Sequence, residues 1–272
     1  MGWLVKLDSV RLTGSLLIEA VYGAGYALWL MGRAFGYLSP KQVWKRRADI
    51  LTQAFTCGVE SLPVTLVVAI FIGFLLALSA GIELAKYGQQ GVIGRVLAIA
   101  MCREFGPFMT GLILAANVGS SMAAELGTMK VSEEIDALEV MSIDPARYLV
   151  LPRLLAMMVM CPVLTVFTDV VGIIGGGIVC LTKFHVPWTQ YYQEVLLGLN
   201  GSDGLKTIYT GLAKALVFAL VIAGVGCAQG LRATGGAVGV GRATRASVIL
   251  SYVLILILGY YGTSVFYGNA LS

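Results

Sequence analysis

The chain has 272 residues, of which 58% are hydrophobic and only 12% are charged, about half the charged share of a typical soluble domain. This composition excludes an ordinary soluble protein and predicts an all-α, polytopic integral membrane protein, because a chain in lipid must satisfy its backbone groups internally. The formal net charge of +4 reflects Lys and Arg beside the apolar segments, so it does not indicate nucleic-acid binding.

Residues 1–40 are predicted to form an amphipathic helix in the membrane interface. Polar side chains from Asp8 to Arg33 recur at steps of three, four or seven residues, which places them on one helical face opposite a leucine-rich face. Trp3 and Trp29, near the two ends, favour a helix that lies in the plane of the interface. The same pattern also fits an amphipathic helix that packs on another part of the protein.

Five apolar segments follow, each near the length of about 20 residues that a helix needs to cross the hydrocarbon core. They are residues 61–82, 91–117, 154–182, 207–231 and 246–268. The second differs from the others because two adjacent charges, Arg103 and Glu104, interrupt it. Together with the N-terminal helix, these segments form a single predicted domain of residues 1–272.

The positions of Lys and Arg predict the orientation of the chain in the membrane. With a cytoplasmic N-terminus, thirteen of these residues fall in cytoplasmic segments and five, including Lys206 and Lys214, fall in segments outside. Because the number of spans is odd, the C-terminus is then expected on the opposite, periplasmic side.

Arg103 and Glu104 place two charges at the depth of the hydrocarbon core, where charged side chains are costly and usually functional. The planar guanidinium group of Arg103 suits the phosphate of a lipid head group. Alternatively, the two residues form an ion pair that only joins helices. Asp169, in the third predicted span, is expected to have a structural role rather than a place in a transport pathway.

Residues 119–144 are predicted to form a cytoplasmic coupling region that ends in an acidic helix. Ser132 can cap this helix, an acidic first turn follows, and Pro145 ends it. The apolar stripe of the helix recurs every three residues and consists of Ile135, Leu138 and Met141. Such a stripe suits a groove on a soluble partner, although a helix in a solvated loop would share the pattern.

The sequence gives little indication of catalytic chemistry. Residues 198–207 superficially resemble a phosphate-binding loop, but Leu205 separates Gly204 from Lys206 and so breaks the required ending. The five cysteines stand singly and lack the spacing of a metal site or a redox pair. We therefore expect no catalytic residue, no metal site and no cofactor bound by this chain.

Several motifs resemble those of the MlaE/YrbE family of lipid-transporting ABC permeases. They are Phe71–Gly73, Arg103–Pro107, Gly119–Ser120, Ala124–Lys130, Glu139–Pro145, Pro152–Arg153 and Gly239–Arg245. The resemblance extends over nearly the whole chain and is weakest in residues 1–40, in residues 183–206 and at the C-terminal end. There, Gly259–Tyr261 departs from an Asp-Phe pair that some relatives show.

The resemblance implies a homodimeric, non-catalytic permease in the inner membrane of a Gram-negative-type bacterium. Two cytoplasmic ABC ATPase subunits would bind ATP and Mg²⁺, and a ring of MCE-domain proteins would lie on the periplasmic face. The permease would move phospholipid or a related lipid between the membrane and this ring. A self-sufficient secondary transporter or channel for an amphiphile is the alternative, although few acidic residues lie within the spans to act as ion relays.

The resemblance also implies two sets of functional residues. The lipid pocket would include Leu76, Leu84, Tyr87, Arg103, Glu104 and Phe105. Contact with the ATPase would involve Glu125, Lys130, Glu133, Ile135, Leu138, Glu139 and Met141. Glu83 occupies a position that is apolar in some relatives, so the outer rim of the pocket is expected to be more acidic.

Overall fold

The computed structural model describes residues 22–37 and 46–268, apart from the side chains of residues 201 and 202. All regular structure in these two ranges is helical, which confirms the predicted all-α fold. The α-helices are α1 (22–36), α2 (Arg47–Ala54), α3 (Leu62–Lys86), α4 (Ile93–Ala100), α5 (Gly106–Leu114), α6 (Ser120–Val131), α7 (Glu134–Val140), α8 (Leu151–Lys183), α9 (Trp188–Leu199), α10 (Gly201–Leu231) and α11 (Gly236–Tyr267).

Within the described ranges, five continuous helices are long and apolar enough to cross a membrane. We name them the first to fifth spans, and they are Arg47–Lys86, Gln90–Val131, Ala146–Lys183, Asp203–Leu231 and Gly236–Tyr267. They coincide with the five predicted segments and extend beyond them at most ends. The first three contain short π-helical turns at Phe55–Val59, Met101–Phe105, Ala115–Gly119 and Ala146–Val150.

The first and third spans pack closely because small residues line their contact. The buried residues of α3 recur every four positions and are Thr65, Ala69, Gly73, Ala77 and Gly81. A Cβ atom at Gly73 would lie 2.0 Å from the carbonyl oxygen of Gly172, so the two backbones touch there. Small residues at this spacing allow such an approach in lipid.

The fourth span occupies the centre of the protein. Of its most apolar stretch, 72% is buried, against 17% for the fifth span. Phe218 and Ile222 of this span are almost completely buried in the main hydrophobic core. Farther along, Gly230 lies against Ala123 of the second span, where a Cβ atom would lie 2.9 Å from the Ala123 carbonyl oxygen.

Helix α1 is the described part of the predicted interfacial helix, and it packs on the protein. Ala27, Leu30 and Ala34 are buried in the main core. Leu28 and Trp29 are exposed by 67% and 54% on the other side, so an apolar surface remains for lipid. One face of the helix therefore packs on the protein, as in the second interpretation of its sequence. The opposite face stays exposed and apolar, as expected for a helix in the membrane interface. Residues 1–21, which include Trp3, lie outside the described residues.

The structure also contains a helix that sequence analysis missed, between the third and fourth spans. Helix α9 lies in the segment 183–206, where no element was predicted. Its Tyr191 hydroxyl donates a hydrogen bond of 2.7 Å to the carbonyl oxygen of Ile173 in the third span. Trp188 packs over Gly177, where a Cβ atom would lie 2.4 Å from the indole ring. The helix is therefore attached to the third span.

The predicted coupling region is divided differently from the expectation. Residues 120–131 continue the second span as α6, and only α7 forms a separate helix. Ser132 does not cap α7, because its hydroxyl donates to the carbonyl oxygen of Thr128 at 2.9 Å. Glu133 stands at the N-cap with a left-handed φ of 63°, and Ser142 with a φ of 59° follows the helix. The helix therefore ends before Pro145, which instead precedes the third span.

Candidate functional site

Arg103 and Glu104 lie in the π-helical turn Met101–Phe105, an irregularity within the continuous helix of the second span that the local sequence explains. Pro107 follows and has no backbone N–H, so the carbonyl oxygen of Arg103 loses its usual helical partner. The side chain of Lys214 replaces that partner, because its Nζ donates to the Arg103 carbonyl oxygen at 3.1 Å. The π-helical turn of the second span is thus stabilised by a side chain from the fourth span.

Lys214 forms the centre of a polar network that joins three spans. Its Nζ also donates to Glu104 Oε2 at 2.8 Å and to Thr263 Oγ1 at 2.7 Å. The Thr263 hydroxyl in turn lies 2.9 Å from Glu104 Oε1, to which it donates. All three ammonium protons of Lys214 therefore have acceptors, as its exposure of only 4% requires.

This network corrects one expectation about charged residues and shows the geometry of another. Lys214 was assigned to a segment outside the membrane, but it is a buried partner of Glu104. The predicted ion pair of Arg103 and Glu104 is present but long, with Arg103 Nε 3.8 Å from Glu104 Oε1. The structural interpretation therefore fits Glu104, whose main partner is Lys214, and leaves Arg103 available for another interaction.

Arg103 lies beside the network and contacts an aromatic ring. Its guanidinium carbon is 4.9 Å from the ring centroid of Tyr267, which is a cation–π distance. The Nε atom of Arg103 is buried and makes no hydrogen bond to the part of the chain that the structure describes. Part of the Arg103 hydrogen-bonding capacity is therefore unused.

A cavity of about 260 Å³ opens next to the network, between the second, fourth and fifth spans. Its lining residues are Glu104, Phe105, Phe108, Lys214, Phe218, Leu256, Gly259 and Tyr260. The volume is just below the range of about 300–1,000 Å³ for small-molecule sites. The walls are mainly apolar and the charged pair is the polar part of the lining, an arrangement that suits an amphiphile.

The structure brings only part of the predicted lipid pocket to this cavity. Glu104 and Phe105 line it, and Arg103 lies beside the same network. Leu76 and Leu84 instead pack, with Phe105, against the smaller hydrophobic cluster. The first span packs on the third through Gly73, and the lining residues of the cavity all come from the second, fourth and fifth spans. Tyr87, just after the first span, is 77% exposed. At the same end, Glu83 pairs with Lys86 at 2.8 Å.

A second polar site lies at the other end of the spans. Glu125 Oε2 accepts a hydrogen bond of 3.0 Å from Arg153, which joins the second and third spans. Lys130 pairs with Asp136 and so connects α6 to α7. A small cavity of about 50 Å³ lies between the first and second spans, and Glu125 contributes to its lining. Two residues of the predicted coupling set, Glu125 and Lys130, are thus held in ion pairs within the chain.

Helix α7 exposes a different surface from the predicted stripe. Ile135 is only 2% exposed and holds the helix to the protein, so it is wrongly placed in a surface for a partner. Leu138 is half-buried, whereas Val140 and Met141 are exposed by 86% and 61%. The exposed apolar surface is therefore at the end of α7, and Glu139 is exposed beside it.

Asp144 connects this region to α1, which sequence analysis did not anticipate. Its carboxylate lies 3.0 Å from Arg33 Nη2 and accepts a hydrogen bond of 2.8 Å from the Tyr37 hydroxyl. It also accepts a hydrogen bond of 2.9 Å from the backbone N–H of Ala146. The position of α1 is therefore fixed relative to the start of the third span.

Asp169 has an unusual environment in the third span. Its Oδ1 atom is buried and makes no hydrogen bond within the described ranges. A Cβ atom at Gly106 would lie 1.7 Å from this oxygen, so the glycine leaves room for the carboxyl group. No group of three His, Cys, Asp or Glu side chains suitable for a metal ion occurs among the residues described.

Comparison with known proteins places this geometry in context. A family model described as Permease MlaE matches residues 50–265. A probable ABC transporter permease protein of Rickettsia prowazekii is 38% identical over 218 residues, which cover 80% of this chain and 83% of the relative. A probable ABC transporter permease protein of Synechocystis is 35% identical over 235 residues, covering 86% and 87%. The chloroplastic Arabidopsis thaliana protein TRIGALACTOSYLDIACYLGLYCEROL 1 is 34% identical over 222 residues, covering 82% and 62%.

Proposed function

Because the chain belongs to the MlaE permease family and is a multi-pass transporter permease, we propose that its cargo is phospholipid or a related lipid. In this proposal a homodimer moves the lipid between the inner membrane and a periplasmic MCE-domain partner. Two cytoplasmic ABC ATPase subunits supply the energy and bind ATP and Mg²⁺, and this chain itself catalyses no reaction.

The cavity between the second, fourth and fifth spans is the observation that carries the lipid proposal. Its aromatic and aliphatic walls suit an acyl chain, and the charged side chains of Glu104 and Lys214 form the polar part of its lining. A lipid needs both kinds of surface in one place, whereas an inorganic ion would not need the apolar walls. The Arabidopsis relative, whose name contains that of a glycolipid, supports the same class of cargo.

The exposed end of α7 supports the proposed contact with an ATPase subunit. Val140 and Met141 form an exposed apolar surface beside acidic side chains, which suits insertion into a groove of a soluble partner. Lys130 joins α7 to the second span, and the same span carries Arg103 and Glu104. A displacement of α7 by the ATPase would thus be transmitted to the cavity as a translation along the axis of the second span.

The test is ATP-dependent lipid transfer by the complex purified from its membrane. We expect the chain to co-purify with an ABC ATPase and with lipid, and the reconstituted complex to transfer fluorescent phospholipid only when ATP is hydrolysed. Transfer by this chain alone, without nucleotide, would instead identify a self-sufficient transporter. A complex with neither an ATPase nor lipid would contradict the whole proposal.

A further inference from the structure

One face of the fifth span carries three layers of polar and apolar contacts. Gly259, Thr263 and Tyr267 recur every four residues, so each layer lies about 6 Å from the next along the helix. Gly259 lines the cavity, and Thr263 belongs to the network of Glu104 and Lys214. Tyr267 forms the third layer, at the end of the protein where the fourth span begins.

The third layer gathers two cations on one ring. Arg103 Cζ and Lys206 Nζ each lie 4.9 Å from the Tyr267 ring centroid, so the two charged groups are no farther apart than twice that distance. The Tyr267 hydroxyl lies 3.3 Å from Thr207 Oγ1, a hydrogen-bond distance that fixes the ring against the fourth span. The ring therefore holds two like charges near each other, and an anion in this layer would reduce their repulsion.

The described residues provide only part of this compensation, through the long Arg103–Glu104 pair of 3.8 Å. Glu104 is the nearby carboxylate, but Lys214 and Thr263 already hold its two oxygens. Arg103 Nε remains without a hydrogen bond, and Lys206 has no carboxylate within ion-pair distance in residues 22–37 and 46–268. Arg103 and Lys214 thus share one carboxylate, and donors of Arg103 and Lys206 remain available in the third layer.

We propose that Arg103 and Lys206, held on the Tyr267 ring, form a phosphate subsite for the head group of the lipid whose chain occupies the cavity. This inference rests on the proposed function and assigns a role to Lys206 that the proposed function does not require. The fork of Arg103 can donate to two phosphate oxygens, and Lys206 adds a flexible point charge. The lipid then lies with its phosphate about 12 Å from the level of Gly259 and its glycerol region near Thr263.

The test compares a lipid that has a phosphate-containing head group with one that lacks it, on the purified complex in detergent. Native mass spectrometry measures retention of phosphatidylglycerol and of diacylglycerol, which has the same chains but no phosphate. We expect Lys206→Ala to weaken phosphatidylglycerol retention about tenfold, as for the loss of one charged hydrogen bond, and to leave diacylglycerol retention unchanged. Lys206→Arg should retain most of the binding. Lys183→Ala, at another exposed lysine near the same end, is the matched control and should have no effect.

The outcomes separate this subsite from the proposed function. Equal retention of phosphatidylglycerol by wild type and Lys206→Ala would overturn the subsite while leaving lipid transport intact. An equal loss of both lipids would also overturn it, because the effect would not depend on phosphate. Inorganic phosphate should compete with phosphatidylglycerol in wild type; if it binds where phosphatidylglycerol does not, the ligand is free phosphate and the lipid assignment is wrong. Wild type that retains neither lipid would contradict the proposed function itself.

Discussion

The contact of the first and third spans differs in kind from the region between the second, fourth and fifth spans. In the former, Gly73 and Gly172 bring two backbones together, and no space remains between them. In the latter, aromatic side chains surround a cavity, and the spans are joined by the network of Glu104, Lys214 and Thr263. Backbone contact produces a rigid pair, whereas side-chain bonds across a cavity leave room for a ligand. Three predictions test this difference and a fourth tests α7, and the expected effect on stability decreases from the first to the last.

The largest effect is expected from Glu104→Gln. This change removes the charge that compensates buried Lys214, and an unpaired buried charge costs about 3–5 kcal/mol. Thermal unfolding in detergent should show the loss directly. In addition, the double variant with Lys214→Met should be more stable than Glu104→Gln alone, because no uncompensated charge remains. Wild-type stability of Glu104→Gln would show that the network does not hold the three spans together.

Truncation of a leucine should distinguish the packed cluster from the cavity. Leu97 is 1% exposed in the smaller cluster, and we expect Leu97→Ala to cost about 3 kcal/mol of unfolding free energy. Leu256 lines the cavity and is 55% exposed, so Leu256→Ala should cost less than about 1 kcal/mol. Equal costs, measured by the same thermal unfolding, would mean that the cavity wall is as closely packed as the cluster.

Gly73→Ala tests the backbone contact of the rigid pair. The new Cβ atom would lie 2.0 Å from the Gly172 carbonyl oxygen, so the helices must separate, and we expect a loss of about 2 kcal/mol. Gly241→Ala is the control, since no atom lies within 4 Å of a Cβ atom there. Unfolding temperatures of both variants provide the comparison, and an unchanged value for Gly73→Ala would contradict a rigid contact.

Met141→Asp should change stability least, by less than about 0.5 kcal/mol, because the side chain is largely exposed. The expected effect is on the partner, with lipid-stimulated ATP hydrolysis by the complex reduced about tenfold. Leu197→Asp, at an exposed residue of α9, should leave hydrolysis unchanged. If Met141→Asp retains full hydrolysis and still co-purifies with the ATPase, α7 is not the coupling surface.

The sequence predicts the spans well because charge-free segments of sufficient length have few alternatives to a membrane helix. It also identifies Arg103 and Glu104 as unusual, since two charges in an apolar segment form a local signal. It does not reveal that Lys214 is the partner of Glu104, because 110 positions separate them and no local pattern records the pairing. A lysine within an apolar segment is nevertheless a signal that could have suggested a buried partner.

The coupling helix shows a similar limit. Its acidic first turn and apolar repeat predict a helix, and α7 forms there. The boundaries follow Glu133 and Ser142, whose left-handed backbone is uncommon for residues other than glycine. Tertiary packing also decides that Ile135 faces inward. The surface left for a partner therefore depends on contacts that a helical periodicity does not contain.

The two π-helical turns of the second span give that helix a property that a regular helix lacks. Each turn accommodates one more residue than an α-helical turn, so tightening it would re-aim the following side chains by about 100°. Such a shift at Met101–Phe105 would turn Glu104 relative to Lys214, and the turn at Ala115–Gly119 could absorb the rotation before it reaches α6. The second span can therefore change which of its side chains face the ligand while α6, at its other end, keeps its contacts with the rest of the protein.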